Sequence, residues 1–291
     1  MKNTLSAVIL NYNDSTTTIK LLSRIQGFEL ITHIVVVDNC STDDSFQLLS
    51  HHSGAKIDVV KSDKNGGYGY GNNFGIRYLK EKYKPTHILI CNPDISFDED
   101  VLAKMLDVFS ADSNVAVVAP YMLNRDGKKE PGTAWSLPTK YECIFSADLI
   151  INHFLRLSYY PNLDQLKDTL KEVDCIAGSL LMVDTAKMIQ YGMYDENEFL
   201  YGEETTIGWK FKKAGLKTIL LLQDTFLHIH GVSINKSIGS EIRKRQLLLT
   251  SNQYILKTYL GATKLDLMLA KIVYGYSMLQ FRVLLMLKKR Q

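Results

Sequence analysis

The chain has 291 residues, of which 46% are hydrophobic, so it can bury a sizeable core and is not a disordered protein. Its four cysteines are far apart and include no C-x-x-C pair, which excludes the usual zinc and disulfide frameworks and is typical of a reducing compartment. The net charge of +3 is unevenly placed, because ten of the 34 basic residues but one of the 31 acidic residues follow Glu241. A basic tail on an acidic body favours an anionic surface as the partner of the tail.

The N-terminus, MKNTLSAVILNYN, lacks the pattern of a signal peptide. Asn11 interrupts its apolar run after a few residues, and the run has neither a basic start nor a small-residue cleavage site. We therefore expect a cytoplasmic protein.

Short apolar runs alternate with amphipathic stretches through the first half of the chain. Strands are predicted for the β-branched runs at 5–10, 31–38, 55–61 and 86–92. Helices are predicted between them, behind Ser, Thr, Asp or Asn caps, at 14–26, 41–52 and 71–83. This alternation predicts an α/β fold with a mostly parallel sheet and helices on both faces. In such sheets, ligands bind at the carboxyl ends of the strands.

Polar residues follow each of these strands: NYND, DNCSTDDS, SDKNGGYGYGNN and NPD. The glycine stretch reads G-x-G-x-G after the third strand, whereas a dinucleotide fingerprint reads G-x-G-x-x-G after the first, so we exclude an NAD or FAD site. The glycines instead predict a tight backbone that a ligand can approach, followed by a helix whose N–H groups can face an anion. An ordinary turn is the alternative.

The pattern loosens after a strand predicted at 115–120. Residues 124–170 read as turns and short helices, of the kind that form variable substrate loops. Regular structure returns with an apolar strand and a helix across 173–192, and with another strand at 216–223. Between them, Glu203 and Glu204 precede a short basic helix, where acidic residues also occur simply because they favour the positive helix end.

The final segment, 264–290, has a helical pattern and is apolar almost all round. Lys271, Gln280 and Arg282 interrupt its apolar stretches, which are shorter than the roughly 20 residues that span a bilayer. Two interpretations stay open: an in-plane helix on a membrane surface, and a helix packed on the body or on a second subunit of a homodimer. Nucleic-acid binding is not expected, because the positive charges alternate with leucines and no recognition module is present.

Five motifs occur in order along residues 5–233. They are VVVDNCSTDDS, NGGYGYGNNFG, NPD, CIAGSLLMV and FLYGEETTIGWKFKKAG, and HIHGVS follows the last. In these motifs the chain resembles the family-2 inverting glycosyltransferases of the GT-A fold, especially the rhamnosyltransferase-like branch that builds bacterial surface polysaccharides. The resemblance implies a Rossmann-like GT-A catalytic domain at 1–240, with a nucleotide-sugar-binding half at 1–122 and an acceptor half at 123–240, followed by a helical tail at 241–291.

The resemblance also implies which residues meet the donor, a nucleoside-diphosphate sugar. Asn11, Asn13 and Asp38 are expected to bind the nucleoside, since amide and carboxylate groups suit ribose hydroxyls and pyrimidine N–H groups. Gly67 and Asn73 are expected to shape the wall beside the nucleotide. A helix cap is the plain alternative for Asp38.

The family's D-x-D motif is represented by Asn92, Pro93 and Asp94. Asn92 is expected to hydrogen-bond the ribose, and Asp94 to bind a divalent ion, Mg²⁺ or Mn²⁺, that contacts the diphosphate. His228, the first histidine of HIHGVS, is expected at the same metal or at the diphosphate, with His230 as the weaker alternative. N-P-D is also a good turn, and a lone histidine is usually structural.

The family's E-D-x-D motif reads Glu203, Glu204, Thr205, Thr206 in this chain. Inversion at an anomeric carbon is an in-line displacement, so a carboxylate must take the acceptor's proton on the face opposite the leaving diphosphate. Glu204 falls at the position of the usual base, and Glu203 is the second candidate.

The sequence therefore predicts an inverting glycosyltransferase that moves rhamnose or a hexose from a dTDP- or UDP-sugar to a lipid-linked or growing surface glycan. Such an enzyme is expected in the cytoplasm, with its tail on the inner face of the cell membrane. The alternative is a catalytically silent scaffold that binds carbohydrate or nucleotide, because Asn92, Glu204 and Thr206 depart from the family pattern.

Overall fold

The computed structural model describes residues 3–155, 160, 163–229 and 240–288. The strands are β1 Leu5–Asn11, β2 Ile31–Asp38, β3 Ile57–Lys61, β4 His87–Cys91, β5 Ile95–Ser96, β6 Val115–Leu123, β7 Ala134–Trp135, β8 Leu170–Val173, β9 Cys175–Ile176, β10 Leu180–Asp184 and β11 Lys217–His228. The helices are α1 Ser15–Ile25, α2 Ser45–Ser50, α3 Tyr68–Lys82, α4 Glu99–Ala111, α5 Lys140–Phe145, α6 Leu149–Leu155, α7 Thr185–Lys187, α8 Glu203–Lys213, α9 Glu241–Thr258 and α10 Lys264–Lys288.

A nine-stranded sheet lies at the centre of the molecule, in the order β3-β2-β1-β4-β10-β6-β11-β5, with β8 also paired to β11. β1 is parallel to β2 and β4, β2 to β3, and β6 to β11. β10 is antiparallel to β4 and β6, while β5 and β8 are antiparallel to β11. The predicted mostly parallel sheet is confirmed, and β7 and β9 form a separate two-stranded ribbon.

Alternation along the strands sends side chains into two hydrophobic layers, one on each face of the sheet. Ala7 and Ile9 of β1 lie in the layer against α1 and α4, whereas Val8 lies in the layer against α3 and α8. Because the central strands are buried on both faces, they need near-continuous apolar runs, as β1 and β4 have. The helices cover both faces, as the sequence predicts.

The C-terminal helices pack through a third, smaller hydrophobic cluster. Leu249 and Leu256 of α9 meet Ala270 and Tyr274 of α10, together with apolar residues of α5. The predicted C-terminal helix is therefore present, and one of its faces is packed on the body. Across the described residues, no helix is long and apolar enough to cross a bilayer.

Several details of the fold differ from the expectation. α3 begins at Tyr68, inside the glycine stretch, and α4 was not predicted. α9 lies within the segment predicted as a helical tail, 241–291, although its bounds were not predicted. The strand expected within 173–192 is divided, because residues 177–179 form a turn between β9 and β10. This turn reaches the candidate site. The domain boundaries at 122 and 240 remain predictions.

Candidate active site

Asn11 and Asp38 end the neighbouring strands β1 and β2 and lie directly opposite each other in the strand register. Asn11 Nδ2 donates to Asp38 Oδ2 at 3.1 Å, and the Ser41 N–H donates to Asp38 Oδ1 at 2.9 Å. Both side chains are completely buried. Their hydrogen bonds therefore connect the loops that follow β1 and β2. Because both side chains are buried, neither is exposed to a ligand at the surface of these loops.

Asn13 is the partly exposed member of this group. Its backbone N–H donates to Ser41 Oγ at 2.9 Å, and its side-chain Oδ1 accepts from the Thr42 N–H at 2.8 Å. Its φ of 52° is in the left-handed region, which asparagine tolerates better than most residues. The loop after β1 is thereby fixed to the loop after β2.

Gly67 connects the glycine turn before α3 to the segment that precedes α8. Its φ is +93°, and a Cβ at this position would lie 2.0 Å from the Phe199 carbonyl oxygen. The next residue, Tyr68, donates its N–H to the same oxygen at 3.0 Å. A glycine is required here both for the backbone conformation and for this close approach.

Asn73 is turned towards the same segment and is almost fully buried. Its Nδ2 donates to the Tyr194 carbonyl oxygen and to Glu196 Oε1, both at 2.9 Å, and its Oδ1 accepts from the Tyr194 N–H at 2.9 Å. These contacts make Asn73 a tie between α3 and residues 194–196. They do not bring its amide to the Asn11–Asp38 group.

The Asn92-Pro93-Asp94 segment connects β4 to β5, and its placement depends on two long-range contacts. The Asn92 N–H donates to the Ser179 carbonyl oxygen at 2.8 Å, and the Asp94 carbonyl oxygen accepts from the Ile229 N–H at 3.0 Å. Because β5 pairs with the end of β11, Asp94 lies beside His228. Asp94 Oδ1 and His228 Nε2 are 3.2 Å apart, and both residues are buried.

Asp94 and His228 fit a divalent metal in their chemistry. They present a carboxylate oxygen and an imidazole nitrogen side by side, and the other ring nitrogen, Nδ1, lies 3.3 Å from the Met122 sulfur. Within the described residues there is no group of three or more His, Cys, Asp or Glu side chains that could hold a metal ion. A metal held here therefore needs further oxygen ligands, which a bound diphosphate can provide. His230 lies outside the described residues.

Glu204 lies in the first turn of α8, next to the turn at residues 177–179. The Gly178 N–H donates to Glu204 Oε1 at 3.1 Å. A Cβ on Gly178 would lie 3.0 Å from that oxygen and 2.9 Å from the Tyr68 hydroxyl, so only glycine fits without displacement. Burial raises the pKa of the Glu204 carboxyl, although the residue as a whole is partly exposed.

Glu203 points into the protein and is only 2% exposed. Its Oε1 has no hydrogen-bond partner among the described residues. Burial, followed by the nearby charge of Glu204, raises the pKa of Glu203 well above the ordinary glutamate value. Of the two adjacent glutamates, Glu204 is thus the less buried residue.

The same turn connects the Glu204 side chain to the Asp94 segment. Gly178 holds the Glu204 carboxylate through its N–H, and the neighbouring Ser179 holds the Asn92 N–H through its carbonyl oxygen. The turn thus contacts Glu204 on one side and the Asn92 backbone on the other, and Asn92 lies two residues before Asp94, the partner of His228. Asn11, Asn13, Asp38 and Gly67 line the adjoining strand ends and glycine turn.

Two further residues of this neighbourhood escaped the sequence analysis. The Tyr68 hydroxyl donates to the Gly178 carbonyl oxygen at 2.5 Å. Glu198 is 1% exposed, accepts from the Thr206 hydroxyl at 2.9 Å, and has its pKa raised to about 8, chiefly by burial. The available signal was an acidic residue shortly before the Glu203–Glu204 pair in an otherwise aromatic stretch.

Comparison with known proteins gives consistent results. Residues 6–180 match Glycosyl transferase family 2. The chain is 28% identical over 216 residues to the low-salt glycan biosynthesis hexosyltransferase Agl10 of Haloferax volcanii. The aligned region covers 74% of this chain and 64% of that protein. It is 27% identical over 203 residues to the rhamnosyltransferase WbbL of Escherichia coli. This aligned region covers 68% of this chain and 73% of that protein.

The fold is similar to that of GalNAc-T7, whose crystal structure contains UDP, GalNAc and Mn²⁺. The TM-score is 0.61 at 14% identity, over 89% of this chain and 49% of that one. This likeness establishes the GT-A fold. Because the family match extends over more than half of its length, the chain belongs to Glycosyl transferase family 2.

Proposed function

We propose that the protein is an inverting glycosyltransferase that moves rhamnose or a hexose from a dTDP- or UDP-sugar to a lipid-linked or growing surface glycan. The observation that carries the proposal is the turn at residues 177–179, which holds the Glu204 carboxylate and the Asp94 segment at the same strand ends. An inverting displacement needs a base and a stabilised leaving group at opposite sides of one sugar carbon. The hexosyl- and rhamnosyltransferases among the relatives support this class of reaction.

The nucleoside would lie over the loops that follow β1 and β2. We assign the direct contact to the partly exposed Asn13, and we assign to Asn11 and Asp38 the support of both loops through their hydrogen bond. Gly67 would border the nucleotide. Asn92 would meet the ribose.

Asp94 and His228 would hold Mg²⁺ or Mn²⁺, with diphosphate oxygens as further ligands. The 3.2 Å separation of their ligand atoms supports this assignment, as does the Mn²⁺ in the GalNAc-T7 structure. When bound, the ion would neutralise charge on the departing diphosphate.

Glu204 would accept the proton of the acceptor hydroxyl as this oxygen attacks the anomeric carbon. Burial raises the pKa of the carboxyl, so its ionised form is a stronger base than an exposed glutamate. The hydrogen bond from Gly178 fixes one carboxylate oxygen, which reduces the motion needed to reach the reactive geometry.

The test is hydrolysis of dTDP-rhamnose and UDP-hexoses with and without Mn²⁺, combined with thermal shifts in dTDP and UDP. We expect slow, metal-dependent hydrolysis that Glu204→Gln abolishes. Asp94→Ala should remove the metal-dependent part of nucleotide stabilisation, whereas the control Asp98→Ala, whose side chain is 87% exposed, should keep it. Nucleotide binding without turnover in the wild type would instead support the silent scaffold.

We also propose that α10 rests on a membrane surface. An exposed apolar face runs along the helix, since its large side chains recur at helical spacing and are 47% to 72% exposed. These side chains belong to Leu265, Met268, Ile272, Tyr276, Leu279, Val283, Met286 and Leu287. Ile150 and Phe154 of the adjacent α6 are also exposed, at 55% and 77%.

The charges beside this face favour an anionic bilayer over a second copy of the chain. Lys264, Lys271 and Arg282 are exposed and follow one edge of the apolar face at helical spacing. The acidic residue of the helix, Asp266, is paired with Lys140 at 2.7 Å and does not offset them. Pairing two such faces would bring like charges together, whereas an anionic lipid surface attracts each of them.

Flotation with liposomes of phosphatidylcholine, alone or mixed with phosphatidylglycerol, tests the membrane proposal. The double variant Ile272→Asp/Leu279→Asp should lose binding, and Lys271→Gln should weaken binding to the anionic liposomes about fivefold. Leu48→Asp introduces the same charge at a 40%-exposed leucine of α2 and should have no effect. Concentration-dependent dimerisation without liposome binding would assign the face to a second copy.

A further inference from the structure

Gly178 is the point at which the turn at residues 177–179 meets the proposed base. Its N–H donates to Glu204 Oε1 at 3.1 Å, and its carbonyl oxygen accepts from the Tyr68 hydroxyl at 2.5 Å. A Cβ on Gly178 would lie 3.0 Å from that carboxylate oxygen and 2.9 Å from that hydroxyl. The Glu204 carboxyl and the Tyr68 hydroxyl therefore pack on the same side of the Gly178 backbone.

Backbone contacts fix both ends of this turn. The Ala177 N–H donates to the Thr133 carbonyl oxygen at 2.9 Å, and the Ser179 carbonyl oxygen accepts from the Asn92 N–H at 2.8 Å. The freedom that remains lies in the two peptide groups of Gly178, and glycine has the widest range of backbone conformations. The bond to Glu204 restrains one of these peptide groups, and the bond to the tyrosine hydroxyl restrains the other.

Tyr68 is itself fixed at the start of α3. Its N–H donates to the Phe199 carbonyl oxygen at 3.0 Å, and its own carbonyl oxygen accepts from Asn72 Nδ2 at 3.1 Å. Its ring packs edge-to-face on Tyr194, with 5.6 Å between the ring centroids. Because both its backbone and its ring are restrained, the Tyr68 side chain can hold the turn in one position.

The Tyr68 hydroxyl is a permanent donor in this contact. A carbonyl oxygen only accepts hydrogen bonds, so the hydroxyl must supply the proton. Burial raises the pKa of Tyr68 well above its ordinary value, which keeps the hydroxyl protonated at the pH of an assay. Tyr68 therefore acts on Glu204 by placing Gly178, and not as an acid or a base.

We propose that Tyr68 is a positioning residue for the transfer reaction: its hydroxyl holds the Gly178 carbonyl oxygen and so keeps the Gly178 N–H directed at the Glu204 carboxylate. The assignment rests on the proposed role of Glu204 as the base. An N–H that donates to a carboxylate favours its ionised form, so the bond from Gly178 counteracts the effect of burial on Glu204. Without the hydroxyl, Glu204 should be harder to ionise and less well placed.

Several other titratable groups face Glu204, and the test must separate their titration from its own. They are Tyr68, Cys175, Tyr194, Glu198 and Glu203. Asp174, which lines the same small cavity as Glu204, is paired with Lys212 at 2.8 Å. Burial raises the pKa of both Glu198 and Glu203, so the ionisation of either carboxyl can overlap with that of Glu204. The measurement therefore has to observe Glu204 itself.

Carboxyl ¹³C NMR of protein labelled at the glutamate side chains follows the ionisation of Glu204 without a substrate, and the signal that is absent from Glu204→Gln identifies it. We expect the midpoint of this titration to move to higher pH in Tyr68→Phe. Gly178→Ala should move it in the same direction, because the added methyl group displaces Glu204 from the N–H. The matched control is Tyr83→Phe, which removes a hydroxyl directly after α3 that donates to Asp58 at 2.7 Å and should leave the midpoint unchanged.

The kinetics of donor hydrolysis provide the second measurement. In Tyr68→Phe, kcat should fall about tenfold while KM changes by about twofold or less, because the base is displaced and the donor site is not. The midpoint of the pH–rate profile should rise together with the NMR midpoint. The double variant Tyr68→Phe/Gly178→Ala should lose about as much as the slower single variant, since both changes act through one turn.

The outcomes separate this inference from the transfer reaction. An unchanged Glu204 midpoint in Tyr68→Phe, or losses of rate that multiply in the double variant, would overturn the positioning role and leave the glycosyltransferase intact. A raised midpoint in Tyr68→Phe, in a protein whose wild type hydrolyses no donor, would overturn the transfer reaction and leave the effect of Tyr68 on Glu204.

Discussion

Two buried acidic groups of this protein differ in how their oxygens are satisfied. At the ends of β1 and β2, both oxygens of Asp38 accept hydrogen bonds, from Asn11 and from the Ser41 N–H. Before and at the start of α8, Glu198 and Glu203 each have one oxygen without a partner among the described residues. The Asp38 carboxylate is fully hydrogen-bonded and connects two loops, whereas Glu198 and Glu203 each bury an oxygen without a hydrogen bond.

The difference indicates where the fold accepts an energetic cost. Burial raises the pKa of Glu198 to about 8, and burial with the neighbouring Glu204 raises that of Glu203 well above its ordinary value. Both shifts favour the protonated, neutral form of these two carboxyls beside Glu204. Strongly perturbed carboxyls in one cluster are typical of a functional region.

The largest expected effect separates Glu204 from Glu203. Glu204→Gln should lower donor hydrolysis or transfer about 100- to 10,000-fold, because it removes the proposed general base. Glu203→Gln should retain most activity, since the buried side chain does not meet the substrate. Steady-state rates at matched thermal stability provide the measurement.

The pH profile sharpens the assignment of Glu204. Burial raises the pKa of Glu204, and the rate should increase with pH as this carboxyl ionises. The midpoint of the increase should lie above about 4.3, the ordinary pKa of glutamate. An equal loss of activity in Glu203→Gln, or an unchanged rate in Glu204→Gln, would contradict the distinction between the two carboxyls.

A smaller but measurable effect concerns stability and Glu198. The folded carboxyl keeps its proton up to about pH 8, whereas in the unfolded chain it ionises near 4.5. The folded state therefore binds more protons in this window, so the stability from Glu198 is complete below pH 4.5 and falls as the pH rises to about 8. The loss should amount to a few kcal/mol at most, on the order of 1.4 kcal/mol per pKa unit.

Glu198→Gln should flatten the dependence of the free energy of unfolding on pH, as followed by urea titration at several pH values. Glu29→Gln, at an exposed glutamate, serves as control and should leave the slope unchanged. A slope that is identical in the wild type and Glu198→Gln would show that folding does not raise the pKa of Glu198.

The smallest expected effect compares the same chemical change in both groups. In Asp38→Asn, the new NH₂ group faces a donor, either the Asn11 amide or the Ser41 N–H, so one hydrogen bond is lost. The free energy of unfolding should fall by about 1 to 3 kcal/mol. Glu203→Gln at neutral pH should cost less than about 0.5 kcal/mol, because the replaced oxygen has no partner. Equal losses from denaturant titration would remove the distinction between scaffold and functional group.

Much of the fold could be read from the sequence because its signals are local. The alternation of β-branched runs and amphipathic stretches predicts β1 to β4 and α1 to α3 within a few residues. The reversed direction of β10 could not be read, since periodicity does not encode the direction of a strand. The bounds of α9 within the predicted helical tail could not be read either, and its weak amphipathic pattern gives a physical reason.

The candidate site, too, was predicted in part from the sequence and in part decided by the tertiary structure. Motif order identifies Asp94, His228 and Glu204 as candidates, but their proximity depends on the pairing of β5 with β11 and on the turn at 177–179. Glu198 carries no comparable motif, because its burial depends on how the folded chain packs around it.

The sequence by itself determined the class of fold, the family and the chemical types at the strand ends, because periodicity and motifs are properties of neighbouring residues. The tertiary structure alone decided that Glu204 keeps partial exposure while Glu203 is buried, and that α10 leaves one apolar face uncovered. Burial depends on which distant segments pack over a side chain, and that information is absent from any local pattern.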